Sequence, residues 1–167
     1  GTIFELDELV KEIGIENYRY FMCYRKNDTH MDLDIDLIKK ENKENPIYYI
    51  QYSFARSQSV LEKTNNVISS NIELSFELKN LIKKIHEWDL VVFNSYKRNE
   101  VHLIAHYLES VASMFHSLWS SAKSNPNSKF LDDNDNLSED AQSLLKKYQL
   151  VISEGLGILG IKPKLKM

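Results

Sequence analysis

The sequence predicts an all-α protein, a helical bundle preceded by a short, mostly helical module. Three observations predict it. Apolar residues recur at i, i+3, i+4 and i+7 spacing through most of the 167 residues. Helix-starting residues, above all the pair Asn45-Pro46, stand just ahead of those stripes. Only one short run, Met31 to Leu37, alternates with a period of two.

Taken in order, Thr2-x-x-Glu5 reads as a capping box, with Leu6, Leu9, Val10 and Ile13 as a buried stripe and Gly14 ending the helix. A second helix is expected over Glu16 to Arg25, using Tyr20, Phe21 and Tyr24 as apolar contacts. Lys26 to His30 reads as a polar loop. Met31, Leu33, Ile35 and Leu37 then alternate with Asp32, Asp34 and Asp36, which predicts a short extended segment with its carboxylates facing water. A long helix is expected from Asn45 to about Ser69, followed by a polar turn. Phe76, Leu78, Leu81, Ile82 and Ile85 mark the next helix, and Trp88 to Tyr96 another. Asn99 is the expected cap of a helix running to about Lys123 on the stripe Ile104, Tyr107, Leu108, Val111, Phe115 and Leu118. Residues Asn125 to Asn136 have loop composition and are expected to be mobile. Ser138 should cap a last helix whose end Gly155, Gly157 and Gly160 loosen.

Composition excludes several classes. Hydrophobic content of 43% with 27% charged residues is ordinary for a globular protein. Apolar stretches are short and interrupted, so no transmembrane helix is expected. The N-terminus lacks a basic, then apolar, leader, and the lone Cys23 has no partner for an internal disulfide. Both features lead to an expected cytoplasmic location, with Cys23 a small core residue rather than a catalytic thiol. The formal charge of −3 argues against a broadly basic, non-specific nucleic-acid binder. It leaves room for a local patch, for which Lys83 with Lys84, Lys97 with Arg98, Lys146 with Lys147, and Lys162, Lys164 and Lys166 are candidates. Solvated helix faces account better for each pair, whereas the tail is more suggestive, with three lysines in five residues next to Met167.

Metal chemistry is not expected. Asp32-x-Asp34-x-Asp36 would need glycine and then glutamate where Leu37 and Lys43 stand, so a calcium loop fails. His102, His106 and Glu109 could share a helix face, but Leu103 occupies the place of the glutamate in an HExxH zinc signature. There is no glycine-rich phosphate loop.

The most informative segment is Asn45 to Arg56, NPIYYIQYSFAR. At 100° per residue, Ile47, Ile50, Phe54 and Leu61 form one apolar seam, while Tyr49, Tyr52 and Arg56 cluster on nearly the opposite side. Two tyrosines and an arginine there fit a stacking platform with a phosphate or base contact beside it. A central bundle helix that buries two faces fits as well.

NPIYYIQYSFAR resembles the NPxYYxQYAHAR segment that opens the anticodon-binding helical domain of arginyl-tRNA synthetases. The resemblance runs along essentially the whole chain. GTIFELDELVKEIG (Gly1 to Gly14) resembles the stretch after the KMSKS signature, and YRYFMCYRKNDTHMDLDIDL (Tyr18 to Leu37) is similar to LRFFxLSRSxDSHLDFDLDL. Residues from Tyr107 resemble YLYELAxxFHxFY, and GLGILGIKPKLKM resembles the ending GLxLLGIxxPxxM, with Pro163 one position early. AHAR is here Ser53-Phe54-Ala55-Arg56, so a histidine is replaced by Phe54, a packing change on the apolar seam.

The resemblance implies a connector over residues 1–43 and a DALR-type anticodon-binding bundle over 44–167. The parent enzyme would ligate arginine to its tRNA using ATP with Mg. HIGH and KMSKS do not occur here, so the chain alone is expected to have no catalytic residues, no cofactor and no aminoacylation activity. Expected partners are the anticodon loop of an arginine tRNA and the catalytic domain of the same enzyme, with neither membrane nor DNA. Residue by residue, Tyr49, Gln51, Tyr52 and Arg56 match the helix facing the anticodon loop, Tyr107 a tyrosine on a neighbouring helix, and Met167 a terminal residue packing at the anticodon. The tyrosines would stack bases, Gln51 would bond a base edge, Arg56 would meet phosphate, and His116 would pack between helices. Two alternatives stay open: a sibling synthetase such as the cysteinyl enzyme, and a helical protein-interaction module that binds no RNA. Separated from a catalytic partner, an interface around Tyr18 to Tyr24 would be exposed and could self-associate.

Overall fold

The computed structural model describes residues 5–26, 28–29, 32–69, 75–122 and 129–167. Among these, eight helices and one two-stranded sheet occur. The helices are α1 (Leu6–Ile13), α2 (Ile15–Tyr24), α3 (Ile35–Ile38), α4 (Pro46–Lys63), α5 (Phe76–His86), α6 (Trp88–Arg98), α7 (His102–Ser121) and α8 (Glu139–Ile158). Strands β1 (Val67–Ile68) and β2 (Leu137–Ser138) pair in parallel, Val67 opposite Leu137. The all-α expectation holds.

Helix α7 is the centre, with α2, α4, α5, α6 and α8 all packed against it. Its mixture of Ile104, Leu108, Val111 and Phe115 with the small residues Ala105 and Ala112 is fully or almost fully buried. Phe115 stacks on Tyr148 of α8 with ring centroids 4.5 Å apart. Helix α4 starts as the Asn-Pro signal requires: Asn45 Oδ1 accepts from Tyr48 N, and Pro46 occupies the first turn. Ile47, Ile50 and Phe54 of the expected seam are buried.

Polar positions on the other inner edge of α4 are buried and satisfied. The Tyr148 hydroxyl, whose pKa burial drives far up, donates to Ser53 Oγ, which in turn donates to the Ile50 carbonyl. Ser57 Oγ donates to the Phe54 carbonyl and accepts from Gln149. Each buried hydroxyl thus avoids the cost of about 1–3 kcal/mol that an unpaired one carries.

Several expectations are corrected. The alternating run is not a strand over its second half: Asp34 caps the one-turn helix α3 by accepting from Leu37 N, because a short side chain at a helix start can take an orphan donor. Its three carboxylates do face water. Helix α4 stops at Lys63 rather than near Ser69, since residues 67–68 are drawn into pairing with β2. Asn99 does not begin α7. It adopts a left-handed conformation (φ 53°) and ends α6, a role asparagine tolerates. Leu6 and Phe76, placed in buried stripes, are exposed. Residues 129–136 are tied down: Asp132 accepts from the backbone of Asn134 and Asn136, and Asn65 N donates to the Asp135 carbonyl. On α2, Tyr20 is fully buried in the common core, and Phe21 and Tyr24 are half-buried against it. Thr2, His30, Met31 and residues 123–128 lie outside the described residues.

Gly155 does not loosen α8. It lets α8 approach α7, because a Cβ there would sit 2.6 Å from Leu108 Cδ2, and Leu108 is fully buried. Gly155→Ala should gain about 0.5–1 kcal/mol in helix propensity and lose about 1–3 kcal/mol to overpacking. The expected result is a lower urea midpoint, reversed in a Leu108→Ala background, where the methyl has room.

Candidate nucleic-acid interface

Tyr48, Tyr49, Tyr52 and Arg56 are all half-buried along one edge of α4. Tyr48 and Tyr52, one turn apart, stack with centroids 6.1 Å apart and planes 28° from parallel. The Arg56 guanidinium lies 4.2 Å from the Tyr52 ring centroid and 5.1 Å from that of Trp119 on α7. Its Nη2 donates to the Tyr52 hydroxyl at 2.6 Å. Together these side chains form a ladder Tyr48–Tyr52–Arg56–Trp119. Eight residues of helix make it about 12 Å long.

Behind the ladder stands His116, 4% exposed, its ring stacked on Tyr49 at 3.9 Å and near Tyr52 at 5.6 Å. The Tyr49 carbonyl can only accept, so His116 Nε2 carries the proton and donates to it at 3.1 Å. Nδ1 is then free to accept from Arg56 Nη1 at 3.4 Å. Burial is the main cause of a lowered His116 pKa, and the Arg56 charge adds to it, while the bond to Tyr49 opposes. A neutral ring is what this geometry requires. Burial likewise raises the Tyr49 pKa, keeping its hydroxyl protonated.

No carboxylate among the described residues pairs with Arg56. Two cations of the candidate patches are paired, Lys84 with Glu87 at 2.8 Å and Lys164 with Glu16 at 3.7 Å. Arg56 is therefore a half-buried positive charge whose neighbours are aromatic rings and neutral acceptors.

Two sequence-derived site residues do not belong to this face. Tyr107 lies nine positions before His116, which is half a turn off on the helix, so it points the opposite way. It is 4% exposed, stacks on Trp88 at 5.4 Å, and its hydroxyl donates to the Lys84 carbonyl at 2.7 Å, pinning α7 to the end of α5. Gln51 is 2% exposed, and both ends of its amide are taken: Nε2 donates to the Lys162 carbonyl and Oε1 accepts from Lys164 N. It cannot read a base edge while it holds the chain segment after α8. Met167, 48% exposed, lines a cleft of about 400 Å³ together with Tyr48, Gln51, Asn45 and Gly14, so it stands at the Tyr48 end of the ladder.

Three members have places that the sequence expectations do not give them. Tyr48 shares i, i+4, i+8 spacing with Tyr52 and Arg56, a signal present in the sequence. Trp119 follows His116 by three residues and so falls on the same face of α7. His116 was expected to pack, and it does, but it also orients Arg56.

The other candidate sites carry no comparable geometry. Glu109 accepts from the Tyr24 hydroxyl, whose pKa is pushed up to about 12 chiefly by burial, and His106 donates to the Tyr24 carbonyl. No group of three potential metal ligands occurs among the described residues. Cys23 is half-buried and burial raises its pKa, against a reactive thiolate. No helix among the described residues is long and apolar enough to cross a membrane.

A family model for the DALR anticodon binding domain matches residues 50–167, which takes in Tyr52, Arg56, His116, Trp119 and the final segment but begins after Tyr48. The chain belongs to the DALR anticodon binding domain family. This DALR chain is 33% identical over its full length to an arginine–tRNA ligase of Roseobacter denitrificans and 31% identical to one of Pelagibacter ubique. It spans about a third of the length of such relatives, 31% and 30% in these two. All of it superposes on 36% of a Campylobacter jejuni chain provisionally named as an arginyl-tRNA synthetase, with a TM-score of 0.82 and 26% identity. An arginyl-tRNA synthetase of Plasmodium falciparum shares the fold, with a TM-score of 0.71 at 18% identity over 98% of this DALR chain and 28% of that one.

The neutral His116 gives a pH prediction. Its folded pKa lies below the ordinary value of about 6.5. The unfolded chain therefore takes up a proton that the folded ring refuses, and stability falls as pH drops below about 6.5. The slope from this group is at most about 1.4 kcal/mol per pH unit. Between about pH 7.5 and 5 the urea midpoint of wild type should fall more than that of His116→Gln, which lacks this component.

Proposed function

We propose that this chain is the anticodon-reading part of an arginine–tRNA ligase and that the Tyr48–Tyr52–Arg56–Trp119 ladder is where it meets the anticodon. The observation that carries the reading is Arg56: a half-buried guanidinium stacked between two aromatic rings with no carboxylate partner among the described residues. A cation so placed favours an anion with a planar, stackable group attached. A splayed nucleotide supplies both.

Geometry supports the same choice. A length of about 12 Å accommodates three nucleotides at about 3.4 Å per stacked step. Every arginine codon has G in the middle, so every arginine anticodon has C there, and that base would be stacked by Tyr52 or Trp119. Tyr49 supports the ladder through His116, and Met167 closes its far end. Gln51 and Tyr107 hold neighbouring parts in place rather than touching RNA. Residues 1–43 serve as the connector, and 44–167 as the bundle. In the parent enzyme, ATP, Mg and arginine would be handled by the remaining two thirds of the length seen in the relatives. That portion is the intramolecular partner, and the enzyme would act in the cytoplasm.

The test is binding of the chain to an arginine tRNA transcript and to one whose middle anticodon C is changed to G, across a salt series. Preferential binding to the first is expected. Trp119→Ala should weaken it by about 1–3 kcal/mol, as loss of one stacked base does. Arg56→Gln should reduce the salt slope by about one. Equal binding of both transcripts would overturn the assignment of the ladder to the anticodon, and arginylation by the isolated chain would overturn the division of labour.

A further inference from the structure

The segment after α8 leaves the helix along a closely specified path. Gly160 N donates to the Gly157 carbonyl and Ile161 N to the Leu156 carbonyl, the paired bonds of a Schellman ending. Gly160 has φ +70°, and a Cβ there would lie 2.5 Å from Arg19 Nη1. That guanidinium reaches across from α2 and donates to the Gly160 carbonyl at 2.6 Å, between residues 141 positions apart. Ile161 then plugs into the core, 2% exposed.

Two residues further on, the Gln51 side chain does what a neighbouring strand would do. Its amide donates to the Lys162 carbonyl at 2.9 Å and accepts from Lys164 N at 2.7 Å. Pro163 sits between them, where no donor is required, and its fixed φ limits the segment's freedom. The exposed Lys164–Glu16 pair adds little. Beyond Lys164 only Leu165 and Lys166 separate the clamp from Met167, which lines the same cleft as Tyr48.

We propose that Arg19 and Gln51 are positioning residues for anticodon recognition, clamping residues 160–164 so that Met167 is held at the Tyr48 end of the ladder. This rests on the anticodon reading above. Neither residue touches RNA in this account. Arg19 belongs to the first 43 residues, so the connector contributes to specificity although the bases are stacked on the bundle. Gly160 serves the same purpose, since any side chain there would displace the guanidinium.

Two readouts on the 167-residue chain test it. The ε-methyl group of Met167, identified by its loss in Met167→Ala, reports the segment without RNA. Its carbon–proton NMR signal should lie away from the free-methionine position in wild type and move to it in Gln51→Leu. Arg19→Ala should shift it the same way, and Arg19→Lys, which keeps a donor, should shift it less. Because Arg19 is exposed, its variant is not expected to alter the thermal midpoint materially, which separates positioning from misfolding. The second readout is the binding ratio for transcripts with C or G at the middle anticodon position. Arg19→Ala should lower that ratio toward the Met167→Ala value, and the double variant should lower it no further.

An unmoved methyl signal in both variants would overturn the clamp. Losses that multiply in the double variant would mean that Arg19 acts independently of Met167, and would overturn the positioning role. If wild type does not discriminate the two transcripts, the anticodon reading fails and takes the recognition half of the proposal with it. The methyl signal then still decides whether the clamp exists.

Discussion

Everything at the candidate interface depends on α4 being packed on two sides at once, against α7 and against α8. A helix in that position must bury polar as well as apolar side chains, and each buried polar atom needs a partner. Helix α4 meets the requirement with short side chains. Ser53 and Ser57 return hydrogen bonds to their own helix and accept from α8, so the helices can approach without stranding a hydroxyl. Once those two sides are filled, the edge carrying Tyr48, Tyr52 and Arg56 is the one left partly open.

His116 couples the packing to that open edge. It fills a gap between α7 and α4, and the same burial that lowers its pKa leaves Nδ1 as an acceptor aimed at Arg56. A protonated ring would repel the guanidinium and lose that bond. The arginine is thus oriented by neutral groups, a tyrosine hydroxyl and an imidazole nitrogen, that leave its charge uncompensated. A carboxylate in their place would have oriented it equally well and cancelled its attraction for phosphate. A chain of net charge −3 can therefore still offer a local anion site: one half-buried cation among π-faces, with no carboxylate partner among the described residues, keeps more of its attraction than Lys84 and Lys164, which are paired with glutamates.

The fold was legible wherever it is local. Helical periodicity placed the seam of α4, the stripe of α7 and the cap at Ser138, because each depends on residues within a few turns of one another. What the sequence hid is set by distant partners. The pairing of residues 67–68 with 137–138 truncates α4, and nothing within α4 announces it. Asn99 has the same chemistry as a helix-starting or a helix-ending residue, and only the left-handed backbone decides. Gly155 reads as a helix weakener until Leu108 is seen against it. At the candidate site, the shared side of α4 that carries Tyr49, Tyr52 and Arg56 was legible from one helix wheel. Trp119 was not, since its place beside Arg56 depends on the relative phase of two helices. Gln51 and Tyr107 show the converse: polar tips that suit a ligand are turned to backbone carbonyls more than twenty residues away.

The division into a connector and a bundle, natural along the sequence, is not a division of the packing. Tyr20 of α2 lies in the same core as Phe115 and Tyr148, and Asn45, at the expected boundary, donates to the Ile38 carbonyl while capping α4. A rigid α2 is what allows Arg19 to reach the end of α8, because an arginine on a loose module could not hold a carbonyl in a fixed place. Burial of Tyr20 is therefore upstream of the path taken by residues 160–164, and that path is upstream of where Met167 stands. A substitution deep under α2 would reach the ladder along that chain of contacts without altering any side chain on it.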